Sequence, residues 1–165
     1  MRAYPTDQDQ GRSSDGVVVH RAAGDELPAA TLYRLLRLRT DVFVVEQECA
    51  YPELDGRDLL PGTRHVWLTD ADSAEPLAVL RLLTEPAGVV RIGRVCTDPA
   101  ARGRGLGRTL MTAALAEIGT APSVLAAQVA VVEFYRAFGY RESGEPFDED
   151  GIPHQTMTRP GAVGG

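Results

Sequence analysis

Hydrophobic and polar positions change period several times along the chain, and each change predicts a new element. Val17, Val18 and Val19 form a short β-branched run that reads as an opening strand. Leu32, Leu35, Leu36, Arg39 and Phe43 then recur at spacings of three and four, the four apolar ones making one helical face. This predicts a helix from about Pro28 into the Val42 to Val45 region, with Pro28 suited to its first turn. Ala50 to Gly62 mixes prolines, glycines and acids, so it reads as a loop with one helical turn near Glu53 to Arg57. Strands are predicted at His65 to Thr69, Leu77 to Leu83 and Val89 to Thr97, an antiparallel meander joined by the turn-prone Asp70 to Pro76 and Glu85 to Gly88.

Helical spacing returns at Leu106, Leu110, Met111, Ala114, Leu115 and Ile118, with Gly119 placed to stop the helix. A strand at Ser123 to Gln128 follows, then a short helix carrying Val131, Phe134, Tyr135 and Phe138 and ending at Gly139. Tyr140 to Pro146 and Ile152 to Arg159 form a final hairpin around Asp150 and Gly151. The succession describes an α+β (mixed α/β) fold, a mixed sheet with helices on both faces and a parallel pair where a helix crosses over.

Composition limits the count of domains. With 165 residues and 44% hydrophobic content, one core is expected, spanning residues 17–159. Residues 1–16 are polar and read as a disordered tail, and 160–165 as a second, frayed one. The formal charge of -6 disfavours nucleic acid and anionic lipid as partners. No secretion signal or membrane-spanning run is visible, which leaves a cytoplasmic location as the expectation. Cys49 and Cys96 lack the spacing of a zinc site or a disulfide framework, so no metal is expected.

The stretch from Val95 to Arg108 joins a predicted strand end to a helix start and holds Arg102, Gly103, Arg104, Gly105, Leu106, Gly107 and Arg108. A helix start offers unpaired N–H groups and a partial positive charge, and glycines let a diphosphate approach the backbone. A nucleotide-hydrolysing P-loop would need lysine where Arg108 stands. The dinucleotide fingerprint would need its third glycine at that same position, whereas Gly107 comes one residue early.

The remaining pattern, Arg102-x-x-Gly105-x-Gly107 after a strand, resembles the coenzyme A signature of the GCN5-related N-acetyltransferase (GNAT) superfamily. A narrower resemblance is to the ElaA-type subgroup. It rests on Arg39 with Val42 to Gln47, Tyr51 to Gly56, Arg91 to Val95, Phe134-Tyr135-Arg136, Phe138-Gly139 and Asp150 to His154. The resemblance implies a splayed strand pair that holds acetyl-coenzyme A, with the backbone of Val95, Cys96 and Thr97 along the pantetheine arm. Gln128 stands where many relatives have an asparagine on that arm, and Phe134 and Tyr135 lie beside the donor. Acetyl transfer to an unidentified amine, small molecule or peptide, is implied, without metal; a homodimer stays open.

Tyr135 is the candidate acid for the departing thiolate, since a phenol with an unperturbed pKa of about 10 is protonated at neutral pH. No acid occupies the strand that carries a catalytic glutamate in some relatives. Glu46 is the best remaining carboxylate for binding or deprotonating the amine, with His65 and His154 behind it. Arg94 interrupts an apolar strand and is a candidate to orient an acceptor carboxylate or Glu46. Cys96 lacks an adjacent histidine, which argues against a covalent acetyl-enzyme and for direct transfer in a ternary complex. The alternative is a catalytically silent acyl-coenzyme A sensor or interaction module with the same fold.

Overall fold

Alternation of side chains along the strands decides which helix each face of the sheet receives. The chain runs through β1 (Val17–Ala23), α1 (Ala29–Thr40), β2 (Arg64–Asp70), β3 (Pro76–Thr84), β4 (Val90–Thr97) and α2 (Leu106–Ile118). It continues through β5 (Ser123–Gln128), α3 (Val132–Arg136), β6 (Arg141–Glu142), β7 (Phe147–Glu149) and β8 (Ile152–Arg159). This computed structural model describes residues 16–163, so the tail expected at 1–16 lies, but for Gly16, outside the described residues. The strands form one mixed sheet in the order β1-β2-β3-β4-β5-β8-β6, with β7 also paired to β8. β1 to β4 are antiparallel neighbours, and β4 with β5 is the parallel pair.

One face gathers Val66, Leu68, Leu80, Leu82 and Ile92 under Leu106, Leu110, Met111 and Ala114 of α2, and Tyr135 of α3 joins the same core. The opposite face sets Trp67, Val79 and Cys96 against Leu35 and Leu38 of α1 and Val42 beyond it. Helices therefore cover both faces, as the period changes predict. The buried line of α1 is Leu35, Leu38 and Arg39, rotated from the expected face because Leu38 takes the place assigned to Leu32 and Leu36.

Four local expectations change. The helical turn near Glu53 to Arg57 is absent: Glu53 and Asp55 both reach inward to arginines, and side chains two residues apart share a side in extended chain. The end of the first helix widens into a π-helical segment, Asp41–Glu46, in which Gln47 N–H donates to Val42 O at 3.2 Å and Cys49 N–H to Val44 O at 3.2 Å. Of the strand expected over Tyr140 to Pro146 only β6 forms, and β7 follows beyond it; the gap holds Gly144 at φ 75° and Pro146, and Gln155 Nε2 donates to the carbonyls of Ser143 (3.3 Å) and Gly144 (3.0 Å) there. The final turn does fall at Asp150 and Gly151, whose φ values of 52° and 82° suit a two-residue hairpin. Past β8, Ala162 N–H donates to Thr120 O at 3.1 Å, so the expected fraying does not begin at Pro160.

Leu110 is fully enclosed between α2 and the sheet. Leu110→Ala is expected to lower unfolding free energy by about 2–5 kcal/mol in urea titration; a loss below about 1 kcal/mol would mean that this face is not close-packed.

Candidate active site: a fork between two strands

β4 and β5 pair only from Val90 with Ser123 to Ile92 with Leu125. Beyond these residues β4 stays with β3 as far as Thr97, and β5 stays with β8 as far as Gln128 opposite His154. The sheet thus forks, leaving Arg94 to Thr97 on one lip and Ala126 to Gln128 on the other. A bulge starts the fork: Val79 faces Cys96 and Arg81 faces Gly93, so Leu80 alone opposes Arg94 and Val95. Arg94 accordingly has φ 57°, in the left-handed region.

The lip of β4 leads into the glycine-rich turn. Asp98 Oδ1 accepts from Ala100 N–H at 2.8 Å and turns the chain, and Gly103 and Gly105 take φ of 83° and 72°. Gly105 caps α2, whose first turn-closing bond is Thr109 N–H to Gly105 O at 3.3 Å. The N–H groups from Arg102 to Arg108 have no backbone acceptor among the described residues, which is the unsatisfied helix start that suits an anion. A Cβ on Gly103 or Gly105 would meet no atom within 4 Å, while one on Gly107 would meet Phe134 Cζ at 3.3 Å. Gly103 and Gly105 therefore serve backbone conformation, and Gly107 lets Phe134 of α3 close against the first turn of α2.

The arginines of the turn already hold partners. Arg102 pairs with Glu46 at 2.6 Å and Arg104 with Asp70 at 3.0 Å, both at exposed positions. Arg108 lies over the Phe138 ring at 5.8 Å. Glu46 ends the π-helical segment, and the chain after it crosses the mouth of the fork. Gln47 Oε1 accepts from Gln128 Nε2 at 3.5 Å, and the Cys49 thiol donates to Asp150 O at 3.5 Å. His154 hydrogen-bonds Ile152 O through Nδ1 at 2.7 Å and stacks on Phe147.

Tyr135 is buried, edge-on to Phe134 and Tyr140, and burial with a smaller effect of Tyr140 pushes its pKa up to about 12. Cys96 points into the α1 core, where burial pushes the thiol up to about 12. His65 is enclosed, with Nε2 at 3.1 Å from Asp58 O, and burial lowers its pKa. It anchors the loop after α1 and is not brought to the fork.

A feature that sequence reasoning missed lies beneath that loop. Arg39 contacts Glu53 at 2.6 Å and Asp58 at 2.5 Å; Arg81 contacts Asp55 at 2.8 Å and Asp58 at 3.1 Å. Arg94 contacts Glu53 at 2.8 Å and Asp55 at 3.4 Å, rather than the expected Glu46. Tyr51 donates its hydroxyl to Glu53 beneath the Arg94 guanidinium. The available signal was a cation on each of two apolar runs, Arg39 on the α1 face and Arg81 within Leu77 to Leu83.

Residues 42–159 match the family model described as "Acetyltransferase (GNAT) domain". The chain belongs to the GNAT acetyltransferase family. Over 147 residues it is 50% identical to a UPF0039 protein of Mycobacterium tuberculosis, covering 87% of this chain and 94% of that one. An acyl-CoA N-acyltransferase from Pseudomonas aeruginosa superposes with a TM-score of 0.81 at 41% identity, covering 87% of this chain and 99% of that one. Escherichia coli ElaA does so with a TM-score of 0.81 at 36% identity over the same shares, which places this GNAT protein in the ElaA-type subgroup. The family's chemistry is acyl transfer from acyl-coenzyme A. Among the described residues no cluster of three His, Cys, Asp or Glu is placed to hold a metal, and no helix is long and apolar enough to cross a membrane.

The buried ion pairs have a pH consequence. Hydrogen bonding to Arg81 holds the Asp55 carboxyl well below the usual carboxylate range. Burial raises that of Asp58, but Arg39 and Arg81 more than reverse it. Both folded-state values lie below the unfolded one, near 3.9, so their stabilisation is complete above it and lost as pH falls toward the folded values. The melting temperature should drop as pH is lowered below about 4. A less steep drop is expected in Asp55→Asn, and an identical acid profile would exclude Asp55 as a contributor.

Proposed function

We propose that this GNAT protein moves an acetyl group from acetyl-coenzyme A to a primary amine by direct attack in a ternary complex. The observation that carries the reading is the unpaired N-terminal turn of α2, set at the end of the lip that leaves β5. N–H groups from Gly103 to Arg108 would hold the pyrophosphate, each bond to a charged oxygen contributing roughly 1.5–3 kcal/mol. Arg102 and Arg104 sit in exposed ion pairs of small net worth, so exchanging Glu46 and Asp70 for phosphate oxygens is inexpensive. The arm would run along Val95, Cys96 and Thr97, with Gln128 on the other lip and Phe134 beside it.

In this reading the neutral amine nitrogen attacks the thioester carbonyl, the C–S bond breaks, and Tyr135 donates its hydroxyl hydrogen toward the departing sulfur. The amine's proton leaves through Glu46 or water and supplies the net proton of the free thiol, so that Tyr135 ends as the phenol. Glu46 faces the mouth of the fork once Arg102 turns to phosphate, where a carboxylate also attracts an ammonium group. Arg94 and His154 border the acceptor side, and His65, fully enclosed, is given no part in proton transfer.

Calorimetric titration with acetyl-coenzyme A is expected to give saturable binding, and Gly105→Glu to abolish it by adding bulk and negative charge at the phosphate site. Absence of binding by the unaltered protein at millimolar ligand would end the reading. Tyr135→Phe is expected to cut turnover by about 10- to 100-fold while donor affinity stays within about twofold; unchanged turnover would remove Tyr135 as the donor of the proton. Binding without thiol release over a broad panel of amines would point to a sensor instead.

A further inference from the structure

The residue that starts the fork is strained and held from one side. Arg94 is a non-glycine residue at φ 57° in the bulge of β4, a conformation that L side chains adopt only when their surroundings over-determine it. It lies two residues beyond the last β4–β5 pair, and from it onward the lip is free of β5. What holds it is the loop after α1: the Glu53 carboxylate pairs with Arg94 Nε at 2.8 Å without hydrogen-bond geometry, the Glu53 carbonyl accepts from Nη2 at 3.2 Å, and Asp55 and the Tyr51 ring contact the same guanidinium. Glu53 in turn is only 2% exposed at its side chain, and is fixed by the fully buried Arg39 of α1 and by the Tyr51 hydroxyl. A chain of contacts thus runs from the rigid helix α1, through Glu53, to the backbone angle at which β4 leaves the sheet.

We propose that Glu53 is a positioning residue, which through Arg94 holds the β4 bulge open and sets the orientation of Val95, Cys96 and Thr97 toward the donor. The inference rests on the reading of the fork as the coenzyme A site. Three carboxylates, those of Glu53, Asp55 and Asp58, balance the three guanidinium groups of Arg39, Arg81 and Arg94. A balanced buried network contributes little net stability over an apolar filling, but it does fix geometry, because each partner leaves an uncompensated charge if it moves. Preset geometry at the lip removes an ordering cost from donor binding.

The test separates the strained backbone from the contacts that hold it. Arg94→Gly keeps the left-handed conformation accessible and removes the side-chain contacts to Glu53, Asp55 and Tyr51 together. It is expected to raise the Kd for acetyl-coenzyme A, read by calorimetry without acceptor, by about tenfold. Arg94→Lys, which keeps a cation toward Glu53, should recover part of the affinity. A folded Arg94→Gly protein with the unaltered protein's donor Kd overturns the inference and leaves the coenzyme A reading intact; failure of the unaltered protein to bind donor overturns both. Should Arg94→Gly not fold, Tyr51→Phe removes only the hydroxyl donated to Glu53. It should weaken donor binding by about threefold, and an unchanged Kd counts against the inference.

Discussion

The extra residue that β4 carries opposite Leu80 is the constraint on which the site depends. Opening a sheet frees backbone donors and acceptors along the edges that part, and the parted strands stay ordered only if each keeps a partner on its outer edge. Here both do: β4 remains on β3 to its end at Thr97, and β5 remains on β8 to its end at Gln128. Only a parallel contact of three residue pairs joins the halves. The fork is therefore compatible with a stable sheet, and it delivers the end of β4 to the start of α2, where unpaired N–H groups collect.

Charges around the fork fall into two classes with different freedom. Glu46 with Arg102 and Asp70 with Arg104 are solvent-exposed pairs, screened by water and of little net worth, so a ligand can exchange them. Arg39 with Glu53 is enclosed, with side-chain exposures of 0% and 2%, and losing one partner there strands a buried charge. The exchangeable pairs sit at the turn and the fixed ones lie beneath the loop after α1. Adaptability is confined to where a diphosphate would bind, and rigidity to the hinge of the fork.

Much of this was legible in the sequence. Period changes located the meander, β5 and α2, whose end at Gly119 follows from the glycine's freedom at φ 61°, and the glycine spacing separated the turn from other phosphate motifs. The bulge does leave a trace in the sequence: Val90 and Ile92 face the α2 core, and the next inward residue is Val95, a shift of phase by one. Alternation hides such a shift in a strand that is apolar on both sides. The ionic cluster was harder, because its members come from α1, β3, β4 and a loop, and pairing among residues so distant in sequence has no periodic signature. In the gap between β6 and β7 the buried Gln155 takes up the carbonyls of Ser143 and Gly144, a role that appears only when the strands are adjacent.

Burial has opposite chemical meanings for two side chains near the fork. It pushes Cys96 up to about 12, which leaves no useful thiolate at neutral pH and fits the absence of an adjacent base. It also pushes Tyr135 up to about 12, which keeps the phenol protonated and able to donate. Complete transfer from such a phenol to the departing thiolate is uphill, because burial raises the phenol further above the range of ordinary thiols. On the proposed reading, the contribution of Tyr135 is therefore a hydrogen bond that strengthens as charge builds on sulfur, with the net proton supplied by the amine as it is acylated. Direct transfer needs no more than that from the tyrosine, whereas an acetyl-enzyme on Cys96 would first require its thiol to ionise inside an apolar core.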